Sequence, residues 1–147
     1  MFQKILLCYD GSVEGRNALK DGADIALCMK AETHLLAILR NTPHSLVPEG
    51  VSDTLFNLEQ EEVTRILKEG VAWLKDHGLE AHGYIAFGNP IEEIDAAARK
   101  IGVDLIVVGH RHRSRLARWW SDAEDATLLE RACCSILVSI APPPSAA

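Results

Sequence analysis

The chain has 147 residues, 48% of them hydrophobic, the size of one domain with enough apolar material for a full core. Its 21 acidic and 15 basic side chains leave a formal net charge of −6 and a pI near 5.5, which argues against general binding to nucleic acid or to an anionic membrane. No apolar run approaches membrane-spanning length, no secretory signal precedes the first strand-like run, and the four cysteines fit neither a zinc site nor a disulfide framework, so the expected compartment is a reducing cytoplasm.

The first strand is Ile5-Leu6-Leu7-Cys8-Tyr9, followed by an Asp10-Gly11-Ser12 turn. Ser12 can cap a helix running to about Met29, with Ala18, Leu19, Gly22, Ile25, Ala26 and Met29 on one face. Glu32 to Leu39 reads as a second strand, and Pro43, Pro48 and Gly50 mark the loop after it. A long helix is expected from about Ser52 to His77. Leu55, Leu58, Ile66, Leu67, Gly70, Val71 and Leu74 form its apolar stripe, with Glu59, Glu61, Glu62, Lys68 and Lys75 on the wet side. Ala81 to Phe87 reads as a third strand interrupted by Gly83. Asn89 caps the next helix, with Pro90 at its first position and Glu92 three residues after the cap.

The densest stretch runs from Val103 to Ile140. Leu105-Ile106-Val107-Val108 is a β-branched, doubly buried strand pattern ended by Gly109. A basic loop with Arg111, Arg113, Arg115 and Arg118 follows, then a helix opened by Ser121 with Glu124 in capping-box position, then a last strand from Ser135 to Ile140. Residues 142–147 read as a disordered proline and alanine tail behind a single domain over residues 1–141. Strands alternating with helices predict an α/β domain with a parallel sheet covered on both faces. Ligands are then expected beyond the carboxyl ends of the strands, where the strand order reverses.

Four segments, in order and at their spacings, resemble the universal stress protein family: Ile5 to Ser12, Gly88-Asn89-Pro90, Asp104 to Gly109 and Cys134 to Val138. The resemblance implies an open five-stranded parallel sheet of order 3-2-1-4-5, of the adenine-nucleotide alpha-hydrolase-like type. It also implies a homodimer paired through the last strand, and a crevice faced by Asp10 and Gly109. The nucleotide-pocket set it points to is Asp10, Gly11, Ser12, Ile38, Gly88, Val108, Gly109, His110, His112, Arg113 and Ser121. In ATP-binding members the fourth strand is followed by glycine, two residues, glycine, nine residues, glycine, then serine or threonine. Here Gly109 keeps the first position, while His112, Asp122 and Ala123 occupy the other three.

That departure has a physical cost. An imidazole at position 112 obstructs the close approach of backbone amides to phosphate. A carboxylate at position 122 repels an anion by roughly 4 kcal/mol at about 4 Å and an effective dielectric near 20. The expected function is thus a dimeric stress-response protein with a degraded ATP motif, acting through protein partners. The alternative is a switch that binds ATP or AMP weakly through Asp10, Gly109 and the arginine-rich loop.

Other readings carry less. Asp10 could instead bond its own turn, although the family resemblance favours the pocket role. His110 and His112 lack a third metal ligand. Trp119 and Trp120 beside the arginines suit pocket cover or partner packing better than single-stranded nucleic acid on so acidic a chain. Cys133 and Cys134 read as small buried thiols, because adjacent cysteines rarely close a relaxed disulfide. No nucleophile elbow or P-loop occurs, and the early His-x-x-His turn of adenylate-forming relatives is missing, so no enzymatic activity is expected.

Overall fold

The computed structural model describes residues 1–39, 51–111 and 130–141. In chain order the elements are β1 (Lys4–Tyr9), α1 (Val13–Met29), β2 (Glu32–Leu39), α2 (Val51–Asp76), β3 (Ala81–Phe87), α3 (Pro90–Ile101), β4 (Leu105–Arg111) and β5 (Ser135–Ala141). Glu130 and Arg131 are helical and lead into β5. The five strands form one parallel sheet in the order β3-β2-β1-β4-β5. This is the expected α/β architecture.

Alternation along the strands builds two cores. Ile5, Leu7, Tyr9, Leu35, Ala37, Leu105 and Val107 face α1 and α2. Leu6, Cys8, Leu36, Ile38, Ile106 and Val108 face the other way, where Ile91, Ile94 and Ala98 of α3 cover them. Such two-sided burial is why these strands read as continuous apolar runs. Asp104 clasps the central strand from below: its carboxylate accepts from the Gln3 and Lys4 amides at 2.8 and 3.1 Å, and its own amide donates to the Lys4 carbonyl at 2.9 Å.

Local signals place the helix ends. Ser12 Oγ accepts from the Gly15 amide at 3.0 Å, and Lys30 closes α1 in the left-handed conformation. Asn89 Oδ1 accepts from the Ile91 amide at 2.9 Å, Pro90 begins α3, and Gly102 ends it with φ 79°. The Asp95 carboxylate, on the buried side of α3, meets Arg99 at 3.0 Å and Arg131 at 3.6 Å, which pins α3 to the segment entering β5.

Several local expectations are corrected. Gly109 does not end β4: the strand pairs with β5 through Gly109↔Ser139, His110↔Ile140 and Arg111↔Ala141, so Arg111 belongs to a strand and not a loop. The stripe that α2 buries includes Glu59, Val63, Ile66, Gly70 and Leu74, while Leu58 is 57% exposed. Glu59 is therefore not on the wet side, because burial follows the 3.6-residue turn and not the identity of a single side chain. Met29, at the last turn of α1, is exposed. Cys133 is exposed and Cys134 only partly buried, since the residues before β5 form a bend at the surface.

Candidate functional site

The sheet order places the reversal between β1 and β4. There the two central ladders differ in length. β1 pairs with β2 as far as Tyr9↔Ala37, but with β4 only as far as Leu7↔Val107. Beyond that pair, β4 stays hydrogen-bonded to β5. A crevice therefore opens above Leu7 and Val107, with the Asp10 turn on one side and Gly109 on the other.

The Asp10 turn is built from its own side chains. Asp10 is buried, 8% exposed, at the end of β1. Its Oδ1 accepts from the Ser12 amide at 2.9 Å and also from the Ser12 hydroxyl. The turn bonds read from the sequence are thus present. Oδ2 has no hydrogen bond among the described residues, which leaves one carboxylate oxygen for a ligand hydroxyl. Gly11 takes φ 83°, where a side chain would be strained. Gly15 was not singled out by the sequence pattern. A Cβ there would stand 2.9 Å from Asp10 Oδ1 and 3.2 Å from Ser12 Oγ, so the first turn of α1 packs directly on the carboxylate.

Ile38 and Val108 are fully buried beside Cys8 in the core on the α3 face of the sheet. Gly88 sits farther out, just past the end of the edge strand β3; its amide donates to the Leu39 carbonyl at 3.3 Å. The structure thus gathers Asp10, Gly11, Ser12 and Gly109 around the opening, buries Ile38 and Val108 in the core, and leaves Gly88 past the end of the edge strand β3, two strands from β1. His110 is placed as part of β4. His112, Arg113, Arg115, Arg118, Trp119, Trp120, Ser121, Asp122 and Ala123 lie outside the described residues.

Among the described residues, no group of three His, Cys, Asp or Glu side chains is arranged to hold a metal ion, and no helix is long and apolar enough to cross a membrane. Beside the crevice, the Tyr9 hydroxyl donates to Glu69 Oε1 at 2.8 Å, and Arg16 pairs with the same carboxylate. That cluster holds α1 and α2 against the end of β1. The Tyr9 bond first, and then Arg16 and Arg65, keep the Glu69 carboxyl below its usual range.

Comparison with known proteins agrees with this arrangement. The universal stress protein family profile matches residues 1–139. Universal stress protein YxiE of Bacillus subtilis (strain 168) is 31% identical over 146 residues, covering 94% of this chain and 99% of that protein. The solved structure of hypothetical protein MJ0577 superposes with a TM-score of 0.78 at 25% identity, over 98% of this chain and 99% of the other. A universal stress protein family protein from Arabidopsis thaliana, solved with AMP bound, superposes with a TM-score of 0.65 at 12% identity, over 98% and 97% of the two chains. Sheet order, the switch-point turn and a profile match over nearly the whole length lead to one assignment: this chain belongs to the universal stress protein family.

Proposed function

We propose that this protein is a cytoplasmic, dimeric stress-response regulator whose crevice takes the nucleoside end of an adenine nucleotide without a triphosphate grip, and which acts on a protein partner and not by turnover. The observation that carries the reading is the early parting of β1 from β4 with Asp10 at the mouth. Asp10 Oδ2 suits a ribose hydroxyl. AMP in the Arabidopsis relative supports the same ligand class for this fold. His112, Asp122 and Ala123 stand where ATP-binding members carry Gly, Gly and Ser or Thr, which weighs against a held γ-phosphate.

Calorimetry with adenosine, AMP and ATP tests this. The expected result is binding of all three, with ATP no tighter than AMP, and loss in Asp10→Ala of at least tenfold. Micromolar ATP binding far tighter than AMP would overturn the missing triphosphate grip. Undiminished AMP affinity in Asp10→Ala would remove the crevice as the site. Dimer formation is supported by β5, an edge strand on which Val138 and Ile140 are 45% and 58% exposed.

A further inference from the structure

At the opposite end of the sheet from the crevice, under α3, lies a second cleft of about 560 Å³, within the size range of small-molecule sites. Its position follows from strand parity. His34 of β2 and its register partner His82 of β3 put their side chains on the α3 face, as does Tyr84 two residues on. The His34 ring is nearly buried and stacks between the other two. Its centroid lies 5.0 Å from that of His82 and 5.6 Å from that of Tyr84, with interplanar angles of 28° and 26°. The result is an aromatic cluster along one side of the cleft, its exposed edge supplied by His82 and Tyr84.

Hydrogen bonds hold that cluster in place. His34 Nε2 lies 3.0 Å from Glu32 Oε2, and Nδ1 lies 2.9 Å from the Tyr84 hydroxyl. A carboxylate only accepts, so Nε2–H donates to Glu32; in the neutral ring Nδ1 then accepts from the Tyr84 hydroxyl. Glu32 is also approached by Lys4 at 3.7 Å and by His82 at 4.0 Å. Lys4 and Glu32 offset each other. Lys100, in the last turn of α3, also lines the cleft and makes no ion pair among the described residues, so this end carries an uncompensated ammonium. Glu93 lies two helical turns away, about 10 Å along α3.

The rest of the lining is apolar. Leu36 and Ala86 are buried in the floor, and Ala97 and Ile101 of α3 stand over it. The alanine leaves open the space a larger side chain would fill. An aromatic cluster on one side, small aliphatic groups on the other and, among the described residues, the unpaired Lys100 ammonium at the end define the complementary ligand. We propose that this cleft binds a small planar aromatic carboxylate, its ring between the His82–Tyr84 side and Ala97 and its carboxylate at Lys100.

Calorimetry of the full chain with 2-naphthoate, 2-naphthamide and decanoate, backed by NMR shifts of the His82 and Tyr84 resonances, tests the assignment. Saturable 2-naphthoate binding at sub-millimolar concentration is expected, with both other compounds at least tenfold weaker. Lys100→Ala should weaken the acid about tenfold. Ala97→Trp should abolish binding by filling the cleft, while adenosine binding in the crevice is unchanged. Lys100 is exposed, so its variant keeps the fold and carries the test should Ala97→Trp fail to fold. Equal affinity for the amide, equal affinity for decanoate, binding that survives Ala97→Trp, or no saturation by 2-naphthoate at several millimolar each overturns the proposal.

Discussion

The Cys134 thiol is pushed up to about 11, first by its partial burial and then by the neighbouring Cys133. Cys8, wholly buried in the α3-side core, is raised still further. The nucleophile is the thiolate, so at pH 8 only about one Cys134 in a thousand is ready to react. Iodoacetamide at pH 8 should therefore label the exposed Cys28 and Cys133 first, Cys134 slowly, and Cys8 only after unfolding. Peptide mass spectrometry over a time course reads the order, and early modification of Cys8 in folded protein would contradict it. At this scale the sequence conveyed residue chemistry better than exposure. Asp10, Ser12 and Asn89 could be assigned their turn and cap bonds because those bonds are made within three residues. The exposure of Cys133 depends on a bend that no local pattern announces.

Between elements, the Tyr9–Glu69–Arg16 cluster joins β1, α2 and α1. The Glu69 carboxyl lies lower in the folded chain than its ordinary value near 4.5, chiefly through the Tyr9 hydroxyl bond. Its contribution to stability is thus fully present above pH 4.5 and is lost as pH falls through the lowered folded value. Glu69→Gln should flatten the acid limb of the stability profile and lower stability at neutral pH. Urea melts between pH 3 and 7 check this, and an unchanged acid limb would show the cluster to be inert. The strands and helices were legible almost to the residue where caps or β-branched runs mark them, as in β2 and α3. The buried face of α2 was not. Leu58 drew the apolar stripe toward itself, although the helix buries the position beside it, Glu59.

For the molecule as a whole, periodicity predicted a parallel sheet but not its order, because every permutation of strands buries the same side chains. The order came from the family resemblance, and the structure agrees with it. The aromatic cleft went unread for a related reason: His34 and His82 lie 48 positions apart, and only the β2–β3 register brings them face to face. The edge strand β5 leads to a prediction at this scale. Ser139 Oγ donates to Asp21 Oδ2 at 2.5 Å and ties one face of β5 to α1, while Val138 and Ile140 stay exposed. The wild-type chain should sediment as a dimer at micromolar concentration, and Ile140→Lys as a folded monomer. A monomeric wild type would refute pairing along this edge.

The central position of β1 has a consequence for how the protein is made. β1 is flanked on one side by β2, which follows it closely in the chain, but its other flank is filled only by β4, 100 residues later at Ile5↔Leu105. Synthesis at roughly 5–20 residues per second leaves that flank bare for about 5–20 s. Throughout that interval the nascent chain carries an apolar strand with one open side, a natural point of attachment for a holding chaperone. The Asp104 clasp on Gln3 and Lys4 can close only when that wait is over.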